Sequence, residues 1–126
     1  MRSPYVAIVD DDAALCSSLV DLMRSVGYRA DGFASAETLL LSSDLLNFDC
    51  VIADVHMPGM SGLNLVKKLQ DQGCMTPVTL ITALPDKQLD DEAISAGAQH
   101  LLRKPVETTA LLDCVERTLY NERPPR

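Results

Sequence analysis

Five polar residues of this chain could do chemistry together, because each lies at the end of a short apolar run. Asp10 and Asp11 follow Tyr5-Val6-Ala7-Ile8-Val9, Asp54 follows Cys50-Val51-Ile52-Ala53, Thr82 follows Val78-Thr79-Leu80-Ile81, and Lys104 follows the fifth run, Leu101-Leu102. Two ionised carboxylates about 4 Å apart repel by roughly 4 kcal/mol at an effective dielectric near 20, so three together demand a cation or a shared proton. Oxygen-only ligands with open positions suit Mg²⁺ (or Mn²⁺), which takes one or two carboxylates plus water and phosphate oxygens. Beside such an ion a carboxylate can act as a nucleophile toward a phosphoryl group, with Lys104 and Thr82 on the remaining oxygens, and the product is an aspartyl phosphate. Each residue also has a plainer reading: Asp10 to Asp12 as helix caps, Thr82 as a strand residue, Lys104 as a solvated charge. Their joint placement is what favours chemistry.

The elements that must hold these residues follow from periodicity. Short apolar runs alternate five times with longer amphipathic segments, the βα alternation of an α/β domain with a parallel sheet. After the first strand, Leu15, Leu19, Leu22, Met23 and Val26 recur at helical spacing until Gly27. A weaker strand spans Tyr28 to Phe33, and Ser35 offers an N-cap for a short helix carrying Leu39 to Leu41, followed by a polar connection through Ser42, Ser43 and Asp44. The third strand ends at Asp54; Pro58, Gly59 and Gly62 mark a turn-rich loop before a helix from Leu63 to Gln70, closed by Gly73. After the fourth strand come a loop at Pro85, a helix from Asp86 to Ala96 stopped by Gly97, a fifth strand at Leu101-Leu102, and a final helix carrying Leu111, Leu112, Val115 and Leu119. Right-handed crossovers make a doubly wound five-stranded parallel sheet of order 2-1-3-4-5 the expected fold, with functional loops at the carboxyl ends of the strands.

Size and charge narrow the function. The chain of 126 residues suits one domain. Hydrophobic residues at 47% and charged residues at 23% exclude a disordered or repeat architecture. A net charge of −7 argues against direct nucleic-acid or anionic-membrane binding. No apolar run approaches the roughly 20 residues of a membrane span, and Met1-Arg2-Ser3-Pro4 opens no signal peptide, so a cytoplasmic location is expected. Cys16, Cys50, Cys74 and Cys114 form no Cys-x-x-Cys pair and suggest single thiols, buried or on the surface. Residues 1–121 read as the folded domain, and 122–126 as the start of a linker or a frayed tail.

From Val6 to Leu119 the chain resembles the receiver domain of two-component response regulators, with its flavodoxin-like (βα)₅ fold. The resemblance rests on Ile8-Val9-Asp10-Asp11-Asp12, on Asp54 through Gly62, on Ile81-Thr82-Ala83, on Gly97-Ala98 and on Lys104-Pro105. It implies that Asp54 is the phosphoacceptor, that Asp10 and Asp11 hold Mg²⁺ with help from the His56 backbone carbonyl, and that Thr82 turns toward the phosphoryl group. Lys104 would be the salt-bridge partner, ahead of a cis bond to Pro105. A sensor histidine kinase would donate the phosphoryl group, and the domain would catalyse only its own phosphotransfer and dephosphorylation. Ser61-Gly62-Leu63 and the Lys104-Pro105 end are closest to receivers of the nitrogen-fixation regulator type, which precede a LuxR-type helix-turn-helix domain.

Three departures stand out against that family. Leu101 occupies the place of a switch Tyr or Phe, Val106 replaces a common Phe, and His56 and Leu84 fill positions that tune dephosphorylation. The resemblance implies output, transcriptional through a separate domain, from a face made of the fourth helix, fifth strand and fifth helix, where a phosphorylated homodimer would form. A stand-alone receiver acting through protein contacts is the alternative. An aspartate-dependent phosphatase of the haloacid dehalogenase type also uses a strand-end Asp, Thr and Lys, but Ala14 and the helical setting of Asp90-Asp91 fit it poorly. A flavodoxin-like binding module would offer amides and hydroxyls to a phosphate, where this chain offers three aspartates.

Overall fold

The computed structural model describes residues 3–84 and 86–120. The expected loop residue Pro85 and the expected linker at 122–126 lie outside them. Five strands, β1 (Tyr5–Val9), β2 (Arg29–Phe33), β3 (Cys50–Asp54), β4 (Val78–Thr82) and β5 (His100–Arg103), form one parallel sheet in the order β2-β1-β3-β4-β5. Between and after them run α1 (Ala13–Ser25), α2 (Ala36–Leu40), α3 (Gly62–Asp71), α4 (Lys87–Ala96) and α5 (Thr108–Tyr120).

Strands β1, β3 and β4 are buried along their whole length, as their mainly Val/Ile/Leu/Ala character requires of a parallel sheet covered on both faces. The edge strands β2 and β5 are only partly covered. One face packs Val6, Ile8, Ile52 and Ile81 against Leu19, Val20 and Met23 of α1 and Leu111, Val115 and Leu119 of α5. The other packs Ala7, Val9, Val51, Ala53 and Leu80 against Leu39 of α2, Leu65, Val66 and Leu69 of α3, and Leu89 and Ala93 of α4. At about 25 cal/mol per Å² of apolar surface, these two layers supply most of the driving force for folding.

The helix ends follow local chemistry. Asp12, Ser35, Ser61 and Asp86 cap α1, α2, α3 and α4, each accepting a backbone N–H from the first turn. Gly97 ends α4 at φ +107°, a left-handed conformation that a side chain resists.

Several boundaries differ from the sequence expectation. Strand β2 starts at Arg29 rather than Tyr28, since its register begins opposite Tyr5. The polar connection after α2 contains a 3₁₀ turn at Leu45–Asn47, too short to show periodicity. Strand β5 extends one residue each way beyond Leu101-Leu102, because pairing with Thr79 and Thr82 of β4 recruits His100 and Arg103. Gly62 is the first residue of α3 rather than part of the preceding loop. All four cysteines are buried.

Candidate functional site

Parallel register brings the strand ends to one edge. Val9 lies opposite Ala53, Asp54 opposite Ile81, and Thr82 opposite Arg103. The residue after β1 and the last residue of β3 therefore face one another across a single strand spacing. Asp10, Asp11 and Asp54 offer carboxylate oxygens that all lie within 4.8 Å of one another.

The three aspartates after β1 divide their work. Asp12 is the helix cap, its carboxylate accepting the Leu15 N–H at 3.1 Å. Asp10, 2% exposed, turns back and accepts the Asp12 N–H at 2.9 Å, which fixes its carboxylate over the sheet. Asp11 stays exposed at the rim. The run thus divides: Asp12 caps its own helix, while Asp10 and Asp11 lie in the cluster with Asp54.

Asp54 is buried and accepts the His56 N–H at 3.3 Å on one oxygen. Its other oxygen accepts from the Lys104 ammonium at 3.1 Å, and the same ammonium lies 3.6 Å from Asp10. Burial raises the Asp10 pKa, and the neighbouring Asp54 and Asp11 charges add to the rise, while the Asp12 amide and Lys104 oppose it. For Lys104, burial alone would lower the pKa; the Asp54 hydrogen bond and the charges of Asp54 and Asp10 outweigh it and raise it. The ammonium is thereby kept charged at neutral pH.

Thr82 is fully buried at the end of β4, and its hydroxyl oxygen accepts the Leu84 N–H at 3.1 Å. The His56 side chain is exposed, and His100 lies half-buried in β5. Leu101 packs against the core layer on the α4 side, and the Lys104-Pro105 bond is cis. Asp90 and Asp91 lie within α4, so no second acidic strand end of the phosphatase kind is assembled from them.

Gly62, which the sequence marks only as a loop and motif residue, positions the site. A Cβ there would come 2.4 Å from the Asp54 carbonyl oxygen and 3.0 Å from a Leu80 methyl, so only glycine lets α3 start against the end of β3. The loop between them is braced from α2 as well, by Glu37 accepting the Met60 N–H at 3.1 Å. The Ser-Gly pair at a helix start hints at the first contact; nothing local in the sequence signals the second.

Comparison with known proteins agrees with this geometry. The sequence model described as "Response regulator receiver domain" matches residues 6–116. Transcriptional regulatory protein FixJ of Bradyrhizobium diazoefficiens is 34% identical over 120 residues, covering 95% of this chain and 58% of the relative. Response regulator protein TmoT of Ectopseudomonas mendocina is 38% identical over 118 residues, covering 94% of this chain and 54% of the relative. Among solved structures, FixJ-N superposes with a TM-score of 0.85 at 31% identity, covering 99% of this chain and 100% of that one. The chain spans about half the length of the curated relatives it matches. A matched model over nearly the whole chain, a 2-1-3-4-5 sheet and an acidic cluster at its carboxyl edge lead to one assignment: this chain belongs to the response regulator receiver domain family.

Proposed function

We propose that the domain receives a phosphoryl group on Asp54 from the phosphohistidine of a sensor histidine kinase, and that the modified form shifts the population between two conformations. The observation that supports this most is the Lys104 ammonium, 3.1 Å from Asp54 and beside three carboxylates within 4.8 Å of one another. This oxygen-only donor set fits Mg²⁺ or Mn²⁺, with Asp10, Asp11, Asp54 and the His56 backbone carbonyl as the residues that would hold it. When bound, such an ion neutralises charge on the transferring phosphoryl group.

The residues of the chain supply the rest. A carboxylate oxygen of Asp54 forms a bond to phosphorus as the phosphorus–nitrogen bond to the kinase imidazole breaks, and the imidazole leaves with a proton from solvent. Lys104, kept protonated by its acidic neighbours, offers its ammonium to a phosphoryl oxygen. The Thr82 hydroxyl, released from the Leu84 amide, donates to another. Attack of water on the acyl phosphate later restores Asp54 and frees phosphate.

The relatives named as transcriptional regulators, and the share of their length that this chain spans, support an output on transcription through a separate DNA-binding domain. Residues 1–121 would constitute the receiver and 122–126 the start of a linker to that domain. We place the protein in the cytoplasm; among the described residues no helix is long and apolar enough to cross a membrane. Pairing of the phosphorylated form through α4, β5 and α5 is read by light scattering with and without beryllofluoride, and an unchanged mass rejects it.

The phosphoacceptor assignment is tested by intact mass after incubation with acetyl phosphate, with and without Mg²⁺, on the wild type and Asp54→Asn. One Mg²⁺-dependent phosphoryl adduct, absent from the variant, is expected. An adduct that persists in Asp54→Asn overturns the assignment.

A further inference from the structure

Successive residues of a strand point to opposite faces, so Leu101 and Arg103 of β5 share the face toward α4. Leu101 packs into the core layer there and can make no hydrogen bond. Arg103, at the more exposed end of the strand, makes two. One guanidinium nitrogen donates to the Leu84 carbonyl oxygen at 2.5 Å and another to the Asp90 carboxylate of α4 at 2.6 Å. The amide of that same Leu84 donates to the Thr82 hydroxyl oxygen at 3.1 Å.

A continuous polar path therefore runs from the Thr82 hydroxyl at the end of β4, through both sides of residue 84, to α4. Its guanidinium member is a planar fork of donors, pre-organised to reach a carbonyl and a carboxylate at once. The Leu84 amide holds the Thr82 hydroxyl oxygen where it lies, and a rotation of that side chain to another position gives the bond up. Leu84 is 47% exposed, so water can satisfy its amide when Thr82 leaves. The segment thus has two arrangements available to it.

We propose that Arg103 is a positioning residue that holds Leu84 so that Thr82 is kept turned away from Asp54, and that it couples the phosphoryl state of Asp54 to the seating of α4. This inference rests on the phosphoacceptor reading of Asp54 and adds the residue that transmits it. Leu84 and Asp90 are the two points Arg103 holds; Leu101 beneath it contributes packing alone. By linkage, whatever phosphorylation does to loosen the Arg103 contacts, loss of those contacts does in equal measure to favour phosphorylation.

The test compares wild type, Arg103→Ala, Arg103→Lys, Thr82→Ala and the Thr82→Ala/Arg103→Ala pair. Beryllofluoride affinity in Mg²⁺ is read by titration. Amide exchange at Leu84 and along α4, and Thr82 side-chain rotamer populations, are read by NMR in the metal-free protein. Arg103→Ala is expected to bind beryllofluoride about fivefold more tightly, the lower end of the usual range of coupling, with Mg²⁺ affinity unchanged. Arg103→Lys, which keeps the charge but lacks the pre-organised planar fork, falls between. In the Thr82→Ala background the Arg103 effect vanishes, and in the metal-free protein Arg103→Ala speeds Leu84 exchange and redistributes the Thr82 rotamers. Faster exchange with an unchanged beryllofluoride affinity would make Arg103 a structural brace and overturn the proposal. Failure of every protein to bind beryllofluoride would sink the Asp54 reading instead; unchanged Thr82 rotamers in Arg103→Ala would then overturn the coupling independently.

Discussion

Asp10→Asn is expected to stabilise the metal-free protein. The change is nearly isosteric, and the asparagine carbonyl oxygen can still accept the Asp12 N–H that Asp10 accepts at 2.9 Å. At an effective dielectric of about 20, the Asp54 carboxylate within 4.8 Å repels the Asp10 charge by about 3.5 kcal/mol, and the Lys104 ammonium at 3.6 Å offsets about 4.6 kcal/mol. Exposed Asp11, screened by water, adds back about 1 kcal/mol. The pairwise terms nearly cancel, which leaves the desolvation of a carboxylate only 2% exposed, the same factor that dominates the rise of its pKa.

Removing that charge should gain about 1–2 kcal/mol, or about 4–8 °C in Tm for a domain of this size. The pH dependence has a defined sign. Between the ordinary Asp value of 3.8 and the raised folded value, the folded state holds a proton the unfolded state has released, so Asp10 lowers stability as pH rises through that window. The advantage of Asp10→Asn is therefore full at neutral pH and shrinks on acidification. Urea unfolding in EDTA at neutral and acid pH measures both. A midpoint for Asp10→Asn below that of the wild type at neutral pH, or a gap that does not change with pH, would refute the reasoning. Repeating the scan in Mg²⁺ separates stability from binding: mass action raises the wild type more than the variant, which lacks one carboxylate donor.

Gly62→Ala should cost about 2 kcal/mol, because its Cβ meets the backbone oxygen of Asp54 at 2.4 Å, and it should also slow adduct formation there; urea unfolding and the acetyl phosphate mass assay read the two effects. Asp12→Ala removes the α1 cap and should cost about 1 kcal/mol while leaving the Asp54 adduct in place, which separates the capping aspartate from the two beside it. Tyr5 hydrogen-bonds the Asp31 carboxylate, and that bond, with burial, pushes its phenol up to about 12. An ultraviolet titration should show a late-ionising phenolate that Tyr5→Phe abolishes, and this contribution to stability is lost as pH rises from the ordinary value of 10.0 through the folded one.

The fold was legible where burial is continuous. Val6 through Val9, Val51 through Ala53 and, but for Thr79, Val78 through Ile81 are apolar because both of their faces are covered, and that alone marks three central parallel strands. Legibility fell off at the edges: β2, with Arg29, Asp31 and Gly32, has little pattern to read, and β5 is longer than its Leu-Leu pair because pairing with β4, a tertiary fact, extends it. For the candidate site, residue types at strand ends pointed to Asp10, Asp11, Asp54, Thr82 and Lys104, and the structure gathers four of these, Asp10, Asp11, Asp54 and Lys104, into one cluster. They could not say that Asp12 turns to its own helix, since an Asp at N-cap and an Asp at a site look alike in sequence. Glu37, Arg103 and the positioning role of Gly62 went unread for another reason: each acts on a backbone atom that the chain brings near only after folding, the Met60 amide, the Leu84 carbonyl oxygen and the Asp54 carbonyl oxygen.

The distribution of burial across the sheet bears on how a signal could leave the site. Asp10 and Asp54 are rooted in β1 and β3, which sit at the centre and are covered along their length; moving either carboxylate by an ångström would disturb both core layers. Thr82 marks the border: its strand is buried, but its hydroxyl is held by residue 84, which is exposed. Beyond it, β5 is half-covered, and α4 is tied to Arg103 by an ion pair whose members are 39% and 41% exposed, worth at most about 1 kcal/mol. A charge added at Asp54 thus meets a stiff support on three strands and a compliant one on the fourth side. The least costly adjustment runs outward through Thr82 and Leu84 toward β5 and α4, the direction in which local opening free energies are lowest.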